Sequence, residues 1–492
     1  MKSFFRVIAI AGALWLPLGC EKDLLDKQNP NNLSTPTYYK TADQAVAAVN
    51  AVYATLQNPG LYNNQYFLLT DLTSDDLRPT PKLPAAEREY YNFNYTASSG
   101  NSRDLWNALY QGIFRANTVL ERVPAVPMDD KLKNRVLGEA RFLRAYYYFT
   151  LVQNFGRVPL VTKVLTAAEA SVPRAAVDEV YALVIEDLQF AEANLPRRSE
   201  YARVDVGRAT SGAAKGMLGK VYLFRRQWSE AAAKFGEVID SGEYSLVADF
   251  RDNGSEKNEN NAESLFEVQF EINLGAFWSV DQPGNGEMTF RAAQYGVPGF
   301  TPFGNGLPSL ELINAFEKGD PRFEKTFYGP YTLVNGAPLD TTGFGYAWRK
   351  YQHDEVVAGK KQEDVQSEIN MRVLRYADVL LMQAEALNEL GQTARAAEGV
   401  NQVRRRADPT GTILLPRDPA AGQTQMTEWI RHERRVELSG EQIRKFDLIR
   451  WGIADQALGK RGFVRNKNEF FPIPQSEIDV NPALQGDQNR GF

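Results

Sequence analysis

Apolar residues recur every three to four positions along the first half of the chain and again along its last quarter. In TADQAVAAVNAVYATLQ they fall at Ala45, Val49, Val52 and Leu56, the spacing of one helix face, with Thr41 placed to cap the N-terminus. DLWNALYQGIFRANTVLERV carries the pattern through Leu105, Leu109, Ile113, Ala116 and Leu120. KNRVLGEARFLRAYYYFTLVQNFGRVPLV predicts a third helix, stopped by Gly156 and Pro159. Further helices are predicted over 177–195, 209–226 and 229–241. From about 245 to 368 the periodicity fades, and Gly, Pro, Asn and aromatic residues take over. Helical spacing returns in NMRVLRYADVLLMQAEALNELG, TARAAEGVNQVRRRA and TEWIRHERRVELSGEQIRKFDLIRWG. Two helical parts around an irregular middle predict a mainly α protein. Residues 39–492 then form one co-folded domain, helical over 39–244, irregular over 245–368 and helical again over 369–492.

Within the helical parts a repeat is visible. Leu218, Gly219, Tyr222, Ala231, Phe235 and Val238 stand at the Leu, Gly, Tyr, Ala, Phe and Ala positions of a tetratricopeptide repeat. Small residues at 219 and 231 let two antiparallel helices approach, and the larger ones fill the space between them. Ala384, Leu387, Ala396, Val400 and Val403 repeat the spacing more loosely. Packing alone accounts for all of these residues, so they carry no site.

The N-terminus follows another pattern. Lys2 and Arg6 precede an apolar run from Val7 to Leu18, too short to span a bilayer but suited to a signal peptide. Gly19-Cys20 stands where the leader would be cut, and Cys20 is the only cysteine in the chain. A small residue before a cysteine at this place resembles the bacterial lipobox, although Pro17 and Leu18 replace its usual leucine and small residue. Residues 1–19 are then a signal peptide, and Cys20 carries the acyl chains of a membrane anchor. The alternative is an ordinary signal peptide with an incidental cysteine. The polar segment that follows, residues 20–38, reads as a tether.

Composition narrows the chemistry. At 43% apolar and 24% charged residues the chain is globular, and its formal charge of −5 argues against nucleic-acid binding. One cysteine and two histidines, His353 and His432, leave no zinc site, and no metal or cofactor is expected. HERRV at His432 fails as a zincin motif, because Val436 holds the second histidine position. Asp75-Asp76 would suit a glycosidase, yet capping and ion pairing explain it more simply. The alternating charges of RHERRVEL predict interhelical salt bridges. No catalytic residue is assigned, and a glycoside hydrolase is the remote alternative.

Rings and amides stand out instead. EYYNFNYTASSGN gathers Tyr90, Tyr91, Phe93 and Tyr95 among asparagines, and the irregular middle adds Trp278, Tyr295 and Trp348. Aromatic faces with amides or guanidinium groups beside them suit the apolar faces and hydroxyl rims of sugars, and also peptides.

Four blocks in order complete a recognisable set: GEARFLRAYYYFTLVQNFGRVPLV, LRYADVLLMQAEALNELG with AAEGVNQVRRRA, WIRHERRVELSGEQIRKFDLIRWG, and FFPIPQSEIDVNPALQ. The chain resembles the SusD/RagB family, surface lipoproteins of Bacteroidetes, over nearly all of its mature length. The resemblance implies a SusD-like α-helical fold in which tetratricopeptide-like helix pairs support a loop-rich, aromatic ligand face. It implies a non-enzymatic lipoprotein of the outer membrane, facing the cell surface, that binds glycans or oligosaccharides. The partner it implies is a SusC-like TonB-dependent transporter, with peptide cargo as the alternative. EKD after Cys20 resembles the family's surface-export signal, in a different order from the commonest form. The ligand residues it points to are Arg78, Tyr90, Tyr91, Phe93, Tyr95, Asn101, Trp278, Tyr295 and Trp348. The terminal QNRGF departs from the family's frequent QNPGY, and the first loop lacks a tryptophan, which leaves the sugar open.

Overall fold

Why the chain folds as a row of packed helices follows from its caps and small residues. The computed structural model describes residues 38–271, 286–298, 301–330, 332–334, 337–338, 345–353 and 365–492. The leader, Cys20 and Trp278 lie outside the described residues. Helix α1 (Ala42–Ala54) starts at the expected cap: the Thr41 hydroxyl accepts from Gln44 N, and Gln44 Oε1 accepts from Thr41 N. After α2 (Gln65–Leu72) and α3 (Ala85–Tyr91) come two long helices, α4 (Gly100–Arg122) and α5 (Asp130–Phe155). Helix α5 stops where expected, at Gly156 with φ of 70°, a left-handed turn that favours glycine.

Each following helix packs on its predecessor. Helices α6 (Val177–Asn194), α7 (Ser211–Phe224), α8 (Trp228–Asp240), α9 (Tyr376–Glu389) and α10 (Thr393–Ala407) run on in order, and α11 (Gln423–Glu437) returns against α9. The predicted repeat pairs are α7 with α8 and α9 with α10. A Cβ on Gly219 would lie 2.6 Å from the Phe235 ring, so only glycine lets α7 and α8 approach this closely. In the second pair Gly399 has the same task against the Leu380 carbonyl, which a Cβ would meet at 2.9 Å.

Short antiparallel ladders hold the middle region. Strand β1 (Leu77–Pro79) pairs with β3 (Gly306–Pro308), and β2 (Ser264–Val268) pairs with β4 (Met371–Arg375). A buried ion network joins this region to α10 and α11. Arg375 meets Glu437 at 2.6 Å and Glu441 at 2.8 Å, and Arg322 meets Asp320, Glu433 and Glu437 at 2.6–2.9 Å. The charges of RHERRVEL do pair between helices: Arg434 reaches Asp378 on α9 at 2.8 Å and Asp447 at 2.9 Å.

Two helical expectations are corrected. In NMRVLRYADVLLMQAEALNELG the helix begins only at Tyr376, because Met371–Arg375 is taken into the ladder with β2 as strand β4. The segment TEWIRHERRVELSGEQIRKFDLIRWG is not continuous: α11 ends at Glu437, and α12 (Arg444–Arg450) begins after a turn. Gly440 and Gln442 have φ of 70° and 58° there. The turn puts the Gly440 carbonyl on the Arg291 guanidinium and its α-carbon against Trp348, contacts a straight helix would not make.

Candidate ligand-binding cleft

Three pieces of the fold converge on one open cleft of about 650 Å³. The β1–β3 ladder contributes Leu77, Arg78, Ser309 and Leu310, the last turn of α3 contributes Tyr91, and the α12 region contributes Arg444, Lys460 and Arg461. Arg78 sits opposite Leu307 in the ladder, and its Nε donates to Pro308 O at 3.2 Å. Burial lowers the Arg78 pKa.

Arg461 organises the wall. Its Nε and Nη2 donate to Tyr91 O at 3.2 and 2.9 Å, Nη2 also reaches Leu72 O, and Nη1 reaches Ser74 O. Leu72 and Tyr91 end α2 and α3, so one guanidinium caps the orphan carbonyls of two helices. It also lies 3.7 Å from the centre of the Tyr91 ring, which holds that ring in the cleft wall. The next residue, Gly462, has φ of 103°, and a Cβ there would meet Asn92 O at 2.9 Å. Burial lowers the Arg461 pKa to about 10.

Behind the wall, Asp75 and Asp76 are held by arginines. Arg444 grips Asp75 through two bonds of 2.7 and 2.9 Å, and Arg435 bridges Asp75 at 3.0 Å and Asp76 at 2.9 Å. Burial raises the Asp75 pKa, but Arg444 and Arg435 outweigh it and leave it below the usual value. For Asp76 burial wins over Arg435, raising it to about 6. This matches the ion-pairing reading of the Asp75-Asp76 pair. Among the described residues no cluster of three or more His, Cys, Asp or Glu is placed to hold a metal. A half-buried ring beside forked donors is a surface for binding an extended polar ligand.

The sequence-predicted site residues divide sharply. Tyr91 and Arg78 stand together in the cleft. Tyr90, Phe93, Tyr95, Tyr295 and Trp348 do not: all are core residues at 5% exposure or less, with no face open to a ligand. Tyr90 stacks on Tyr95 at 5.1 Å, its hydroxyl accepts from Ser102 N, and both rings meet Phe471 edge-on. Phe93 packs edge-on against Phe463. Tyr295 stacks on Trp348 and donates to Asp71 Oδ2 at 2.9 Å. The reason is physical: where helix faces are lacking, large rings supply the apolar area that closes the core. Asn101 is likewise buried, in the first turn of α4, away from the cleft liners. Tyr90 and Tyr91 also belong to helix α3 and not to a loop. Lys460, Arg461 and Glu311 were not singled out in the sequence, since no periodicity or motif marks them.

The helical scaffold thus bears an open cleft in which one ring, Tyr91, stands among five cations. The profile of the SusD family matches residues 262–462, and a second, described as starch-binding associating with outer membrane, matches residues 23–223. A laminarin-binding SusD-like protein of known structure is 31% identical, with a TM-score of 0.78, covering 92% of this chain and all of its own. A SusD homologue from Bacteroides thetaiotaomicron is 26% identical with a TM-score of 0.81, over 92% of this chain and 98% of its own. SusD-like protein P25 of Formosa agariphila is 28% identical over 97% of both chains. The chain belongs to the SusD family, and its mainly α fold is the family's.

Proposed function

We propose that this protein captures glycans at the cell surface and delivers them to a SusC-like TonB-dependent transporter in the outer membrane. The observation that carries the reading is the Tyr91 ring, braced by Arg461 and flanked by Arg78, in an open cleft. A ring face takes the C–H face of a pyranose, and the guanidinium groups beside it take the hydroxyls. Support comes from the laminarin-binding relative and from the outer-membrane association in the matching family description. Cys20 is the proposed lipid anchor, with residues 20–38 as tether. Binding requires no catalytic residue, cofactor or metal.

Calorimetry on the chain from residue 21 onward, against laminarin, other oligosaccharides and peptide digests, tests the reading. Sugar binding that Tyr91→Ala abolishes with the fold intact is the expected result. Binding of peptides alone would transfer the role to peptide cargo. Sugar release by the purified protein would point to a hydrolase.

A further inference from the structure

The charge of the cleft narrows its ligand further. The whole chain carries a formal charge of −5, yet five cations line the cleft against two carboxylates. Arg435 and Arg444 are answered by Asp75 and Asp76. Arg461 is different: its four hydrogen bonds all go to main-chain carbonyls, and it makes no ion pair among the described residues. That leaves one Nη1–H and a full positive charge on a largely desolvated group. Lys460 beside it is exposed and also makes no ion pair among the described residues. The two carboxylates of the lining, Asp75 and the exposed Glu311, act on Arg461 through space, but neither contacts it, and Asp75 is already held by Arg444 and Arg435. Carbonyl dipoles hold a cation in place without cancelling its charge, so its field is felt in the cleft.

We propose that the cleft selects anionic polysaccharides, with uronate carboxylates or sulfate esters as the group that meets Lys460 and Arg461. The assignment rests on the glycan-binding reading above. Arg461 covers one face of the Tyr91 ring at 3.7 Å, so a sugar stacks on the other face, and an acidic substituent extending past the ring edge meets the wall that Arg461 and Lys460 share. Both acids present planar or tripodal oxygens to a guanidinium, and a neutral glucan presents neither.

The test measures affinity for polygalacturonate, a sulfated carrageenan and laminarin, at about 50 and about 300 mM salt, between which the screening length shortens about 2.4-fold. The probes separate carboxylate from sulfate as the recognised acid. An acidic polymer is expected to bind, and to bind several times more weakly at the higher salt. Lys460→Glu, at an exposed position, is expected to weaken it about two- to tenfold, and Glu311→Gln to strengthen it, with unchanged circular dichroism. Laminarin binding that ignores salt, with both acidic polymers silent, would overturn the anionic assignment and leave the glycan reading intact. Silence toward all three polymers would overturn both.

Discussion

Lys445 offers the sharpest test of the packing. Its amine is buried, donates to Asn154 Oδ1 at 3.1 Å and lies 3.7 Å from the centre of the Phe471 ring, with no carboxylate in contact. Burial alone pulls its pKa down to about 7. In the unfolded chain a lysine titrates near 10.4, so between about pH 7 and 10.4 the unfolded state holds one more proton. Stability therefore climbs with pH through that window, by about 1.4 kcal/mol per unit and about 5 kcal/mol in all, and is flat outside it. Below pH 7 the folded protein bears the whole cost of a buried cation. Lys445→Met removes that cost and loses the hydrogen bond, worth about 1 kcal/mol, while the cation–π contact acts only on the charged amine and is already inside the shift. A net gain of about 4 kcal/mol at pH 6 is expected, falling by about 5 kcal/mol to a loss of about 1 kcal/mol above pH 10. Urea unfolding followed by tryptophan fluorescence at pH 6, 8 and 10 reads both effects. Parallel pH profiles for the two proteins would refute the reasoning, because the lysine would then titrate alike folded and unfolded.

Three further outcomes are expected. Gly219→Ala drives a methyl into the Phe235 ring and should cost about 1–3 kcal/mol in urea unfolding, whereas Gly242→Ala, in open space, loses only what its φ of 67° demands. Arg375→Met takes one buried partner from each of Glu263, Glu437 and Glu441, leaving them Arg406, Arg322 and Lys350, and should cost about 3 kcal/mol at neutral pH. Burial raises both pKa values, but Arg406 and Arg375 override it at Glu437, and Arg375 and Lys350 override it at Glu441. Both fall below the usual range, so their contribution is present above about pH 4.3 and lost as pH drops, an acid-unfolding limb that Arg375→Met should flatten. Tyr95→Ala should destabilise by about 3–5 kcal/mol as a core truncation, while Tyr91→Ala should keep the fold and lose ligand; the reverse pattern in melting and binding would contradict the assignment of these two rings.

Most of the scaffold was legible in the sequence because helices are local. Spacing at Leu105, Leu109 and Ile113, the Thr41 cap, and Gly156 as a stop each act within a few residues, and each is found where the pattern puts it. The repeat glycine at 219 was legible for the same reason, as only a small residue lets two helices touch. The break at Gly440 was not. Its cause lies with Arg291 and Trp348, about 149 and 92 residues away in the chain.

The cleft divides in the same way. Sequence by itself determined that this chain is a helical-repeat member of its family, with a middle region rich in rings. It could not say which rings face outward, since Tyr90 and Tyr91 are adjacent and alike. Only the tertiary structure decided that Tyr90 turns inward to Tyr95 and Phe471 while Tyr91 turns out under Arg461. Arg461 reaches Tyr91 across 370 residues of chain and Leu72 across 389. Local rules place helices because their bonds close within one turn. A binding surface is made by side chains that meet across the whole fold, and its charge is set by which of them find a counter-ion there.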